Sequence, residues 1–123
     1  DVNGLKQIND SLGHIEGDAY IRSASQLICH TWEHSPVFRI GGDEFVAVLT
    51  GEDYRNREAL VRRFNQVEDE MRASVLDPWE RVHVAMGVAV YDPGLDGSVN
   101  DTMRRADKNM YENKRKWKKG ELN

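Results

Sequence analysis

Apolar residues recur along this chain with two periods. Tyr20, Ile21, Ala24, Leu27 and Ile28 share one face at helical spacing, the stripe of an amphipathic helix. They predict a helix from Glu16 to about Trp32, with Pro36 beyond its end. Leu5, Ile8 and Leu12 predict a short helix before it, and Leu60, Phe64, Val67 and Met71 mark the apolar stripe of a long charged helix from Asp53 to about Val75. A last helix is expected from Val99 to about Lys116. β-prone runs lie at Val37-Phe38 and at Phe45-Val46-Ala47-Val48-Leu49, and Val82 to Tyr91 is dense enough in valine to predict a central strand. Asp1-Val2 reads as the tail of a strand broken by Asn3-Gly4, and Pro93 to Gly97 as a loop. The order is strand, helix, helix, hairpin, helix, strand, helix. Helices returning between strands of a mixed sheet predict an α+β, ferredoxin-like architecture.

Composition bounds what such a fold carries. A chain of 123 residues, 31% charged and 39% apolar, fits one globular domain over residues 1–123. No apolar run approaches the length of a membrane span and no signal peptide is visible. The single cysteine, Cys29, excludes an internal disulfide and is compatible with a reducing compartment. Its place beside Leu27 and Ile28 predicts a buried, inert thiol. Charge is unevenly spread. Residues 104–119 hold eight of the 17 basic residues against two acids, so the net −4 divides into +6 there and −10 elsewhere. A basic terminal helix could meet nucleic acid or an anionic membrane, or be a solvated helix end whose cations suit the helix dipole. Trp32, Trp79 and Trp117 are scattered and read as packing residues; His30 and His34 share i, i+4 spacing, but no third metal ligand accompanies them. His83, between Val82 and Val84, is expected to face away from their side.

The chemistry concentrates between the first two β-prone runs, in Arg39-Ile40-Gly41-Gly42-Asp43-Glu44-Phe45. Gly41-Gly42 reads as a tight hairpin turn, because a two-residue turn needs positive φ and glycine adopts it freely. Asp43 and Glu44 then start the second strand, where alternation sends them to opposite faces. Acids at a hairpin mouth suit a divalent cation, and a cation beside bare backbone suits phosphate. An ordinary hairpin with solubilising acids fits the same residues.

Two further blocks separate these readings. The chain opens Asp1-Val2-Asn3-Gly4-Leu5-Lys6-Gln7-Ile8-Asn9-Asp10-Ser11-Leu12-Gly13-His14-Ile15-Glu16-Gly17-Asp18, and Arg105-Ala106-Asp107-Lys108-Asn109-Met110-Tyr111-Glu112-Asn113-Lys114 stands near its end. With the hairpin, these resemble the GGDEF domain of diguanylate cyclases, in the family's order and over nearly the whole chain. The resemblance implies a nucleotide-cyclase palm-like fold, a mixed central sheet flanked by helices. It implies an enzyme that condenses two GTP into cyclic di-GMP and pyrophosphate at a homodimer interface, with Mg2+ (Mn2+ possible) as cofactor. Asp1, the Val2 carbonyl and Asp43 would be metal ligands. Asp43 would also help deprotonate the attacking hydroxyl, with Glu44 a second ligand or a structural acid. Lys6 would stabilise the phosphates or transition state, and Asn3-Gly4-Leu5, with Gly41 and Gly42, would approach the phosphates. Lys114 would reach the γ-phosphate. Lys118 stands where the family has arginine, and Trp117-Lys118 replaces the usual Gly-Arg, so bidentate binding is lost there.

Asn9 and Asp18 match the family's guanine-reading pair. A carboxylate accepts from both the guanine N1–H and its exocyclic amine, whereas adenine presents an acceptor at N1. Read without the family, they are a helix-cap or turn residue and a helix N-terminal acid. The inhibitory R-x-x-D site of many relatives falls on Trp32-Glu33-His34-Ser35, where both charged anchors are replaced. The family's upstream D-x-L-T-x-L-x-N-R segment is absent, and Gly120-Glu121-Leu122-Asn123 stands where a final edge strand is expected. The expectation is a fragment truncated at both ends, lacking the N-terminal helix and half of the first strand. An N-terminal sensory or dimerising domain, a cytoplasmic location (membrane-anchored at full length in some cases) and no nucleic-acid partner are also implied. The alternative within the family is a catalytically silent GTP-binding regulatory module.

Overall fold

A computed structural model describes residues 1–77 and 80–118. The elements are α1 (Leu5–Leu12), α2 (His14–Thr31), β1 (Val37–Arg39), β2 (Phe45–Ala47), α3 (Gly51–Arg55), α4 (Arg57–Ser74) and α5 (Val99–Lys118). The class is α+β. Two compact units divide the chain: residues 2–84, and residues 85–123 together with Asp1. No helix among the described residues is long and apolar enough to cross a membrane. Trp79, Lys119 and the expected edge strand at 120–123 lie outside the described residues.

In the larger unit the apolar stripe of α2 forms the core. Tyr20, Ile21, Ala24, Leu27 and Ile28 are buried with Ile8 of α1 and Phe64 of α4, and Trp32 stacks on Phe64 with ring centroids 5.3 Å apart. A single residue joins α1 to α2. Gly13 has φ 94°, which L side chains rarely adopt, and its N–H closes α1 on the Asn9 carbonyl. Cys29 is exposed rather than buried. It lies one residue past Ile28, and a 100° helical step carries it off the core stripe. β1 and β2 pair antiparallel with Val37 opposite Ala47, Phe38 opposite Val46 and Arg39 opposite Phe45.

The long helix expected from Asp53 is two helices broken at Asn56. Arg57 fastens the break, its guanidinium 4.3 Å over the Tyr54 ring and donating to the Tyr54 carbonyl at 2.9 Å. Asp53 is buried inside α3, where its carboxylate accepts the His34 N–H at 3.1 Å and the Ser35 hydroxyl at 2.6 Å.

The expected central strand at Val82–Tyr91 forms no ladder; among the described residues the sheet has two strands, and the only pairing of this segment is an isolated bridge between Val2 and Val84. Side chains take the place of a neighbouring strand. In the larger unit the Val84 N–H donates to Glu68 of α4 at 2.9 Å. In the smaller unit the Met86 N–H donates to Asn113 at 3.3 Å, while the carbonyls of Val88 and Val90 accept Asn109 and Arg105 at 3.0 and 2.7 Å. Arg105, Asn109 and Asn113 are four apart on α5, so one face of the helix meets alternate residues of an extended chain. Gly87 permits the contact: a Cβ there would fall 2.0 Å from the Ala106 carbonyl oxygen and 2.3 Å from the Met110 nitrogen.

Candidate functional site

The loop between β1 and β2 runs from Ile40 to Glu44, longer than the two-residue turn expected, and is closed by the Ile40 N–H donating to the Glu44 carbonyl at 2.9 Å. Gly41 and Gly42 are not among the positive-φ glycines. Their lack of a side chain serves space instead. A Cβ on Gly42 would meet nothing within 4 Å, and one on Gly41 would touch only the Glu44 side chain, so this backbone stands open to solvent. Arg39 shapes the loop, donating to the Gly41 carbonyl at 3.2 Å and to the Gly42 carbonyl at 2.6 Å. Asp43 and Glu44 lie in the loop before the ladder begins at Phe45. Both are half-buried, and they can bring carboxylate oxygens within 4.8 Å of each other rather than turning to opposite faces. Two such oxygens form the donor set that hard cations select. The Val2 N–H donates to the Asp43 carbonyl at 2.7 Å, which ties the start of this unit to the hairpin mouth.

Gly4 opens α1 with φ 82°, a left-handed cap that glycine adopts without strain. Leu5 is half-buried and Lys6 exposed in the first turn that follows. Further along, Asn9 packs against α2 at Gly17, where a Cβ would lie 1.7 Å from Asn9 Oδ1. The glycine at position 17 therefore makes room for the Asn9 side chain. Asp18, the next residue, is exposed. It lines an open cleft of about 320 Å³ with Arg22 and Gln26 of α2 and Arg39 and Phe45 of the hairpin. His14 is exposed at the first position of α2.

Behind Gly4 lies a buried polar group that sequence reasoning missed. Asn3 Nδ2 is 2.7 Å from His83 Nδ1, the Asn3 carbonyl accepts the Tyr20 hydroxyl, and the Asn3 N–H donates to the His83 carbonyl at 2.8 Å. His83 is buried, as are Val82 and Val84 on either side of it. Glu68 is buried as well, with Oε1 3.1 Å from Arg72. Burial raises the Glu68 carboxyl to about 7 despite its hydrogen bond from Val84 and the nearby Arg72 charge. Burial, with Arg72 adding to it, lowers His83 to about 4. Burial also pushes the Tyr20 phenol up. Position 68 lies about 40° past Phe64, on the side away from Val67 and Met71, so the apolar stripe gives no signal of its burial; Arg72 one turn later is the one hint of a partner.

In the smaller unit the Lys114 ammonium lies 3.4 Å from the Asp1 carboxylate, and Lys118 is exposed one turn further along α5. The Asp1 backbone nitrogen lies 3.0 Å from the Ala85 carbonyl oxygen, to which it donates. Arg105 pairs with Asp96, whose carboxylate also accepts Thr102 at 2.9 Å. That guanidinium holds the Asp96 carboxyl well below the usual range. Arg104 pairs with Asp101, so part of the basic helix is neutralised by its own unit.

Comparison with known proteins adds the family. Residues 1–120 match the family described as "Diguanylate cyclase, GGDEF domain". The chain is 30% identical over 125 residues to the bifunctional diguanylate cyclase/cyclic di-GMP phosphodiesterase MucR of Pseudomonas aeruginosa, covering 98% of this chain and 17% of that protein. It is 31% identical to the probable diguanylate cyclase DgcJ of Escherichia coli, over 93% of this chain and 22% of the relative. It is 29% identical to diguanylate cyclase A of Treponema denticola, over 93% and 31%. The chain thus spans less than a third of the length of these relatives. No solved structure matches it.

Proposed function

The chain belongs to the diguanylate cyclase GGDEF family, and on that premise we propose that it is a catalytic domain condensing two GTP into cyclic di-GMP and two pyrophosphates. The observation that carries this reading is the hairpin loop, whose half-buried Asp43 and Glu44 stand beside a backbone left open by Gly41 and Gly42. In each of two symmetric steps a ribose 3′-oxygen bonds to the α-phosphorus of the opposing GTP, and the bond from that phosphorus to the bridging oxygen breaks, releasing pyrophosphate. Asp43 takes the hydroxyl proton, and Glu44 holds the local negative potential. Asp1, Val2 and Asp43 are the oxygen donors the family pattern assigns to magnesium, and the paired carboxylates of the loop fit a hard cation. When bound, that ion neutralises phosphate charge and lowers the cost of the extra charge at phosphorus.

The chain's own residues supply the rest. Gly4 and Leu5, which follow an Asn3 whose own N–H is taken by the His83 carbonyl, present backbone at the start of α1, where free amides favour anions. Lys6 and Lys114 add cationic donors to the phosphates, with Lys118 a weaker third. Asn9, fixed on Gly17, and Asp18 beside it read the guanine edge. One chain binds one GTP, so the productive species is a homodimer with antiparallel nucleotides, and a dimerising segment elsewhere in the protein raises the local concentration to roughly millimolar. Fusion of the chain to a constitutive dimer is expected to raise turnover per mole far above that of the isolated chain. Equal turnover in the two forms contradicts a two-chain mechanism. A second reading is a silent GTP-binding module; one relative, 28% identical, carries the name cyclic di-GMP phosphodiesterase PdeR and not that of a cyclase. GTP binding without product by the fused dimer identifies that case.

A further inference from the structure

The larger unit holds a buried polar chain that the chemistry above does not use. Glu68 is 3% exposed, His83 6% and Asn3 4%. Glu68 Oε2 accepts the Val84 N–H at 2.9 Å, and Oε1 accepts Arg72 at 3.1 Å with His83 Nε2 3.8 Å away. In the tautomer that carries its proton on Nε2, His83 Nδ1 accepts from Asn3 Nδ2 at 2.7 Å, while Asn3 Oδ1 is buried with no hydrogen-bond partner among the described residues. Nε2 is the nitrogen that faces the carboxylate. At Asn3 the backbone N–H, the carbonyl and Nδ2 are all held, by His83 and Tyr20. Gly4 follows directly with its positive φ. The entry to the turn is therefore fixed from behind, by residues that do not belong to it.

Resting on the reading that Asn3-Gly4-Leu5 receives the phosphates of GTP, we propose that Glu68 is a positioning residue that acts through His83 to hold Asn3 and set this turn for the triphosphate. The charged and titratable groups facing Glu68 are Arg72 and Asp69 on α4, Tyr20 on α2, and His83 in the segment after α4. As a carboxylate, Glu68 favours the His83 tautomer whose Nδ1 accepts from Asn3. When Glu68 takes a proton that preference weakens, and the Asn3 amide loses its fixed acceptor. Burial places this change near neutrality. The turn is ordered above that point and loosens below it.

Two measurements test the assignment. In 15N-labelled protein, the Gly4 and Leu5 amides and the Asn3 side-chain amide are expected to shift together with a midpoint near pH 7. Glu68→Gln is expected to abolish that shared transition. His83→Thr, which removes the intermediary and leaves Glu68 with Arg72, is expected to do the same, and serves if the first variant fails to fold. Calorimetry at pH 8 with magnesium then compares GTP with guanosine. The expected result for Glu68→Gln is about ten-fold weaker GTP binding, roughly 1.4 kcal/mol, with guanosine binding unchanged because Asn9 and Asp18 do not depend on the network. Equal losses for GTP and guanosine, or a Gly4 midpoint that survives in both variants, overturn the proposal. Wild-type protein that binds no GTP yet keeps the Gly4 transition overturns the GTP reading alone.

Discussion

The buried pair Glu68 and His83 makes opposite demands on stability, and single substitutions should separate them. Glu68 is raised from 4.5 to about 7. The native state holds its proton more tightly than the unfolded state, so its contribution is full below pH 4.5 and is lost as pH rises through about 7. His83 is lowered from 6.5 to about 4, so its contribution is full above pH 6.5 and is lost as pH falls through about 4. Each shift is about 2.5 units, or about 3 kcal/mol at 1.36 kcal/mol per unit. Between pH 4.5 and 6.5 the two slopes cancel in the wild type. Glu68→Gln leaves His83 alone, and stability should then rise with pH across this window by up to about 1.4 kcal/mol per unit. His83→Thr leaves Glu68 alone, and stability should fall with pH by a similar amount. The assay is urea unfolding followed by tryptophan fluorescence, with Trp32 on Phe64 as a core reporter. Differences between each variant and the wild type remove the carboxylates common to all three. Pairwise differences that stay constant from pH 4.5 to 7 would refute the buried pair.

Gly17→Ala places a Cβ 1.7 Å from Asn9 Oδ1, which must move; the preference for GTP over ATP in calorimetry should fall about ten-fold, against a cost of about 1–3 kcal/mol in urea unfolding. Gly87→Ala drives a Cβ into the backbone of α5, 2.0 Å from the Ala106 carbonyl, and should destabilise the fold by about 3 kcal/mol or more in the same assay, with no flexible side chain to relieve it. Product feedback should be purely competitive. Trp32 is buried on Phe64 and the Ser35 hydroxyl is engaged by Asp53, so initial rates against GTP at fixed cyclic di-GMP should converge at saturating GTP, and a submicromolar inhibition that GTP fails to overcome contradicts this.

Much of the helical framework is legible from spacing alone. Leu5, Ile8 and Leu12 predict α1, and the stripe from Tyr20 to Ile28 predicts α2, because a helix that buries one face must repeat it every turn. The antiparallel pairing across Gly41-Gly42 is legible too. The loop conformation is not: Arg39 ties a longer loop by bonds to its carbonyls, a tertiary effect that turn propensity does not encode. Val82–Tyr91 misleads for a related reason. Its valines suit an extended chain, but propensity does not say whether a strand or the polar side chains of Glu68, Arg105, Asn109 and Asn113 take its hydrogen bonds. The motif blocks single out Asp43, Glu44, Asn9 and Asp18. They are silent on Glu68, because a buried acid in a charged helix resembles its exposed neighbours until its partners are known.

The most direct test of the central claim is cyclic di-GMP formation from GTP and magnesium by the chain fused to a constitutive dimer, compared with the same fusion carrying Asp43→Ala. Loss of a metal ligand together with the general base should lower turnover by several orders of magnitude, with circular dichroism unchanged because Asp43 is a half-buried loop residue. Robust product from the wild-type fusion and almost none from the variant is the predicted result. Near-wild-type turnover in the folded variant, or no product from either protein, would contradict a cyclase built on this hairpin.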